Sequence, residues 1–322
     1  MSLSPHILLT GGTGFFGKAL LRFFCNQDCS TTDRPTVTIL SRCRASFATS
    51  YPEFVNQPWL ELHEGNICHP DTLPRNTGFT HIIHAAADST MGPQLTPLQR
   101  FDQIVTGTRN LLELAVECGA KRFLFTSSGA IYGPQPPSLD RIPEEWHGSP
   151  DLLNPANAYG EAKRAAEHLC SLYADQYEME CVIARCFAFV GEDLPLDVHF
   201  AIGNFIRDAL HKEVITVAGD GSPLRTYLHQ DDLAEWLWAL LLRGRSGEAY
   251  NVGSDEVVSI AELAHLVREI LAPRKQLIIQ GQVSASGQRN RYLPHIGKAQ
   301  RELGLTVRIP LHDAIRRFGK QK

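Results

Sequence analysis

Long apolar runs are absent from this 322-residue chain. Its most apolar stretch, Trp236 to Leu242, covers seven residues, where a membrane-crossing helix takes about 20, so no transmembrane segment is expected. The opening MSLSPHILLT has no positively charged leader before its short apolar stretch, and it is not expected to act as a signal peptide. Basic runs are missing too. Lys plus Arg number 31 against 35 Asp plus Glu, a net charge of −4, which argues against nucleic acid or anionic lipid as the principal partner. The eight cysteines (25, 29, 43, 68, 118, 170, 181 and 186) form no C-x-x-C pair and no Cys/His cluster at zinc spacing, so no metal site is expected. The implied state is reduced thiols in the cytoplasm, several of them small core residues. With 43% hydrophobic and 20% charged residues, the chain is too apolar for intrinsic disorder.

What is present is alternation. Short β-type runs (6–10, 36–40, 59–64, 81–85, 122–126 and 181–185) interleave with helical patterns at 17–25, 103–118 and 158–177. Strands separated by helices imply βαβ units and a parallel, doubly wound sheet. The length suits two domains. Beyond Gly191 the pattern degrades into turns, with helices near 201–210, 233–242 and 260–271, short strands near 215–218 and 249–252, and a closing helix at 310–318. The expected architecture is α/β: a Rossmann-type doubly wound domain over 1–190 plus about 228–255, and a smaller C-terminal α/β substrate domain over about 191–227 plus 256–322.

Residues 7–17, ILLTGGTGFFG, run from a strand through Gly11, Gly14 and Gly17 into a helix, with Phe15 and Phe16 between the last two glycines. Glycine lets the backbone turn tightly and approach a pyrophosphate, and the helix N-terminus offers N–H groups and positive dipole. The second strand ends at Ser41-Arg42, where an NAD site usually carries a carboxylate for the ribose 2′-hydroxyl. A hydroxyl followed by Arg42 could instead hold the 2′-phosphate of NADP, which is slightly favoured. Adenine stacking or solvent exposure of Arg42 is the alternative.

Tyr159 and Lys163 stand four residues apart, hence on one helical face. A nearby cation favours phenolate and moves a tyrosine toward useful basicity. The run FLFTSSGAIYG, 123–133, leaves a strand into Ser127 and Ser128 at the carboxyl end of the sheet, where such folds bind ligands.

Together TGGTGFFG, His84-Ala-Ala-Ala87, SSGAIYG and YGEAK resemble the extended short-chain dehydrogenase/reductases, specifically their nucleotide-sugar epimerase/dehydratase branch, and RTYLHQDDLAEW, YNVGS and KAQRELGL extend the likeness along the chain. The resemblance implies that Tyr159 is the catalytic base or acid, Lys163 its electrostatic partner and ribose contact, and Ser128 the third member, with Ser127 its near competitor. It places Asn66 and Ile67 at adenine, and His84 to Ala87 (Ala85, Ala86 and Ala87 among them) along an NAD(P) dinucleotide. It makes Arg225 a grip on the phosphates of a nucleotide-diphosphate sugar, with Arg289 or Arg291 a second candidate, and it implies a homodimer built on the helices at about 101–118 and 158–177.

Two departures bear on the substrate. Ile104 and Ala188 stand where the family usually has Asn. Gly129 and Ala130 follow Ser128 where related 4,6-dehydratases carry Asp-Glu and decarboxylases keep the Glu, which disfavours both chemistries. The resemblance therefore implies oxidation of the sugar to a keto intermediate, with epimerisation at C4 the leading outcome and an NADPH-dependent 4-keto-sugar reductase the alternative. A non-sugar substrate, or a dinucleotide-binding sensor without turnover, are the remaining readings.

Overall fold

A computed structural model describes residues 4–27, 34–75, 77–87, 95–198, 200–282 and 290–319. The chain begins with β1 (His6–Thr10), α1 (Phe15–Cys25), β2 (Thr36–Ser41), α2 (Arg44–Ser50), α3 (Pro52–Val55), β3 (Leu60–Glu64), β4 (His81–His84), α4 (Pro97–Cys118), β5 (Arg122–Ser128), α5 (Ala158–Tyr177) and β6 (Glu180–Cys186). It continues through β7 (Phe189–Val190), α6 (Ala201–His211), β8 (Val214–Val217), β9 (Leu224–Arg225), β10 (Leu228–His229), α7 (Gln230–Arg243) and β11 (Ala249–Val252). The remainder is β12 (Val258–Ser259), α8 (Ile260–Leu271), β13 (Gln276–Ile279), α9 (Gly297–Leu303) and α10 (Leu311–Phe318).

A seven-stranded sheet takes the order β11-β6-β5-β4-β1-β2-β3. β1 pairs parallel with both β2 and β4, so strand order reverses at β1, and ligands of such sheets bind in the crevice beyond the strand ends there. The expected doubly wound α/β architecture is the one observed. Strands β1, β2 and β4 are buried along almost their whole length because helices cover both faces, which is why they read as continuous apolar runs. A core of Leu8, Ile82, Leu111, Leu112, Phe123 and Phe125, among others, lies between sheet and helices. Each such side chain contributes roughly 1.5–3 kcal/mol by leaving water.

Helix α4 starts six residues ahead of the periodic pattern that announces it. Thr96 caps it, accepting from Gln99 N while the Gln99 side chain accepts from Thr96 N, and Pro97 sits at the first helical position. This capping box satisfies two helix-end donors and extends the helix past its apolar stripe.

The chain divides into two compact units, one made of Met1–Ile131, Pro150–Arg185 and Ala234–Tyr250, the other of Tyr132–Ser149, Cys186–Leu233 and Asn251–Lys322. Tyr132–Ser149 reads from sequence as part of the doubly wound layer, yet it packs in the second unit. There Ile142 N donates to Leu293 O at 2.8 Å, Tyr132 Oη donates to Asn251 Oδ1 at 2.9 Å, and Asn251 N donates to Glu144 at 2.9 Å. The second unit also holds the parallel pair β8–β13 and the antiparallel pair β9–β12. No helix of the described residues is long and apolar enough to cross a membrane.

Candidate active site

The turn after β1 is shaped by contacts no side chain would permit. Gly11 has φ +74°, and a Cβ there would lie 2.5 Å from Ala85 O at the end of β4. A Cβ on Gly17 would lie 2.3 Å from Gly12 Cα, so α1 can rest on the turn only through glycine. Helix α1 opens at Gly14 with no side-chain cap and no acidic residue in its first turn. Its N-terminal dipole faces an open cleft lined by Gly11, Thr13, Gly14, Ser41, Arg42, Asn66, Ile67 and Ala85 to Ala87, with Leu40, Gly65 and Gln103 completing the wall. The residues present fit a dinucleotide: a cradle that a single Cβ would fill, at a helix N-terminus suited to phosphate. Gly17 shapes this cradle from behind. Phe15 and Phe16 form the first turn of α1, their ring centroids 6.0 Å apart.

The cleft wall is braced by α4. A Cβ on Gly107 would lie 2.5 Å from Ile67 Cδ1, and Asn110 Nδ2 donates to Ile67 O at 2.8 Å. Asn66 Oδ1 accepts from Cys68 N at 3.0 Å, holding its own loop. At the far end Ser41 is buried and its hydroxyl donates to Cys43 O at 3.2 Å, while Arg42 is exposed beside the cleft. Glu64, in register with Ser41, accepts from Arg44 N at 3.1 Å, so this rim carries both a guanidinium and a carboxylate.

His84 lies in the core rather than along the cleft. Its Nδ1 is 2.8 Å from Thr10 Oγ1 and its Nε2 3.1 Å from Thr108 Oγ1. Thr108 donates to Ile104 O at 2.7 Å and Thr10 accepts from Ala86 N at 3.3 Å. Thr108 spends its one hydrogen on Ile104 O and so must accept from Nε2–H, which in a neutral ring leaves Nδ1 bare to accept from Thr10. Burial, with the Lys163 charge adding to it, pushes the imidazole down to about 3. His84 is a neutral tie between β1, β4 and α4, and it holds Ala86 in place at the cleft.

At the end of β5, Ser127 and Ser128 diverge. Ser127 Oγ donates to Glu167 Oε1 at 2.5 Å, whereas Ser128 Oγ accepts from Ala130 N at 3.1 Å and keeps its own hydrogen to give. Tyr159 and Lys163 share the face of α5 that covers this strand end. Lys163 is buried, donates to Thr126 O at 2.6 Å, and stands 4.6 Å from the Phe125 ring and 5.9 Å from that of Tyr159. Helix α5 comes this close because of Gly160, where a Cβ would lie 2.9 Å from Ala130 O. The first unit thus gathers Ser128, Tyr159, Lys163 and the cofactor cradle. A phenol, an ammonium and a donor hydroxyl at one strand end can move a proton on or off a substrate oxygen.

Arg225 and Arg291 belong to the second unit, and Arg289 lies outside the described residues. Arg225 Nη1 donates to Leu224 O at 2.8 Å and its guanidinium lies 6.0 Å from the Tyr292 ring, itself 4.6 Å from Phe187. Burial lowers its affinity for the proton, and the tyrosines 227 and 292 oppose that effect. Arg291 faces Asp140 at 3.6 Å. Glu167 and Arg185, which pair beside this strand end, are not among the residues the motifs single out. Glu167, one turn past Lys163, could have been found by extending the four-residue spacing.

A family model described as the NAD dependent epimerase/dehydratase family matches residues 7–253. The chain belongs to that family. Its members are enzymes, and the extended short-chain dehydrogenase/reductase resemblance read from the motifs holds. The chain is similar to UDP-glucuronic acid decarboxylase 1 of Danio rerio, 29% identical over 311 residues, 96% of this chain and 71% of that one. Its fold is that of UDP-glucose 4-epimerase from Thermotoga maritima, solved with UDP-glucose, at TM-score 0.82 and 21% identity over 98% of this chain and 97% of that one. RMD from Pseudomonas aeruginosa, solved with NADPH, matches at TM-score 0.79 and 23% identity over 98% of each chain.

Proposed function

We propose that the protein oxidises a nucleotide-diphosphate sugar to a keto intermediate and returns it as an epimer, with C4 as the reacting carbon. The observation that carries this reading is the set of Ser128, Tyr159 and Lys163 at one strand end beside the dinucleotide cradle. Tyr159 takes the proton of the sugar hydroxyl and later returns it. Lys163, fixed on Thr126 O, supplies the positive charge that makes phenolate accessible. Ser128, whose lone pair is engaged by Ala130 N, directs its hydrogen to the same substrate oxygen. When bound, the nicotinamide supplies the hydride acceptor and donor. The Gly11–Gly17 cradle, Ser41, Arg42, Asn66, Ile67 and Ala85 to Ala87 hold the dinucleotide, and a keto sugar that turns within the site before its reduction leaves inverted.

The first unit serves the dinucleotide and the second the sugar nucleotide, where Arg225 binds phosphate; no carboxylate among the described residues pairs with it. Gly129 and Ala130 supply no acid beside Ser128, which speaks against dehydration and against the decarboxylation named for the Danio rerio relative. A second reading, a 4-keto-sugar reductase using NADPH, is favoured by the exposed Arg42 at the cleft, where a 2′-phosphate would sit. The protein acts as a homodimer through α4 and α5, whose Leu98, Leu172 and Tyr177 are exposed.

The deciding experiment incubates the protein with UDP-, dTDP-, CDP- and GDP-sugars and follows products by mass spectrometry and NMR. An epimer of unchanged mass supports the first reading and net consumption of NADPH the second. Loss of carbon dioxide from a hexuronate would overturn both.

A further inference from the structure

Behind Lys163 lies a polar cluster that proton transfer, as described, does not use. Tyr159, Lys163 and Glu167 stand at four-residue intervals on one face of α5. In an isolated helix Glu167 would pair with Lys163. Its carboxylate turns toward the sheet instead. Arg185 of β6 donates from Nε to Oε1 at 3.1 Å and from Nη2 to Oε2 at 2.8 Å, and Ser127 of β5 donates to Oε1 at 2.5 Å. The Arg185 and Glu167 side chains are 15% and 13% exposed, so this bidentate pair sits where solvent screens little.

Charge bookkeeping around α5 then becomes specific. A tightly matched carboxylate and guanidinium cancel at a distance, whereas either alone would act on its neighbours. Arg185 on β6 and Ser127 on β5 bond the Glu167 carboxylate, and Cys170 on the same helix, which feels both Glu167 and Lys163, meets Cys181 of β6. Cys170 is held protonated by burial, and His84 on β4, which feels Lys163, is neutral. Lys163 is therefore the cation whose field at Tyr159 an uncompensated Glu167 would weaken.

Resting on the reading of Tyr159 as the acid–base group, we propose that Arg185 is a positioning residue for proton transfer: by holding the Glu167 carboxylate against β5 and β6, it leaves the Lys163 charge acting on the Tyr159 hydroxyl. A merely structural pair would stabilise the sheet end without setting this balance. The two functions differ in a measurable sign. Removing the guanidinium alone should make Tyr159 harder to ionise, removing the carboxylate alone should make it easier, and removing both should restore it.

The test titrates the phenols of the free protein by NMR of ¹³Cζ-labelled tyrosine, with the Tyr159 signal assigned by its loss in Tyr159→Phe. In the wild type Tyr159 should ionise below the ordinary phenol value of about 10. Arg185→Gln should raise its midpoint by about one pH unit, the size expected for one charge about 12 Å away, the rise of eight residues along α5, at an effective dielectric near 20. Glu167→Gln should lower it, and Arg185→Gln combined with Glu167→Gln should return it to the wild-type midpoint. Should Arg185→Gln alone fail to fold by circular dichroism, Glu167→Gln and the double variant still decide the matter. A depressed wild-type midpoint that neither of those variants nor Arg185→Gln moves in these directions overturns the role of Arg185. A wild-type midpoint in the ordinary phenol range overturns the acid–base reading of Tyr159 itself.

Discussion

The neutral His84 tie predicts a specific acid weakness. Its two threonine partners fit one proton order, Ala86 N–H to Thr10, Thr10 to Nδ1, Nε2–H to Thr108, and Thr108 to Ile104 O; a second ring proton would turn the Thr10 hydroxyl away and bury a charge that also feels Lys163. The folded imidazole therefore stays neutral until about pH 3, whereas the unfolded one takes a proton near pH 6.5. This stability is whole above about 6.5 and is lost progressively as pH falls toward 3. Between about pH 7.5 and about pH 5 the loss amounts to about 2 kcal/mol, from 1.4 kcal/mol per pH unit below the unfolded value. The perturbation to make is His84→Gln, whose amide can donate to Thr108 and accept from Thr10 without titrating. Urea unfolding of both proteins at the two pH values gives the answer as a difference of differences, in which His229, held to about 4 in the second unit by burial, cancels. The wild type should lose about 2 kcal/mol more than the variant on acidification. Equal losses would refute the proton order assigned to this chain of bonds.

Other outcomes follow from the same geometry. Tyr159→Phe should cut turnover about 100-fold or more, since general acid–base help contributes about 10² to 10⁴, and should leave dinucleotide binding intact; near-normal turnover by steady-state kinetics would remove Tyr159 from the chemistry. Arg42→Ala should weaken NADP binding by about 1.5–3 kcal/mol and leave NAD nearly unchanged if the guanidinium meets a 2′-phosphate; equal losses in calorimetry would assign it to adenine stacking. Arg225→Ala should cost roughly 2–4 kcal/mol of nucleoside-diphosphate affinity, and Arg225→Lys should also weaken it, because an ammonium cannot reproduce a bidentate contact. Unchanged affinities would bring a non-sugar substrate to the front.

Much of this protein was legible in one dimension because the features concerned are local. Strands β1, β2 and β4 are buried on both faces, so they appear as unbroken apolar runs, and the glycine spacing from Gly11 to Gly17 records a backbone path that admits no Cβ. Tyr159 and Lys163 announce themselves by helical spacing alone. What tertiary structure decided are contacts between residues far apart in sequence. Ser127 and Ser128 are the same residue type side by side, and only the arrival of Glu167, forty residues on, separates them. His84 reads from sequence as part of a cofactor strand, and its neutrality arises from Thr10 and Thr108 closing on it from β1 and α4. Tyr132–Ser149 follows β5 without a break in composition, yet its hydrogen bonds go to residues more than a hundred positions later. Helical spacing also places Glu167 beside Lys163; the sheet supplies Arg185 and turns it away. Sequence spacing specifies which groups can share a face, but the partner each group takes depends on which strand the fold lays against that face.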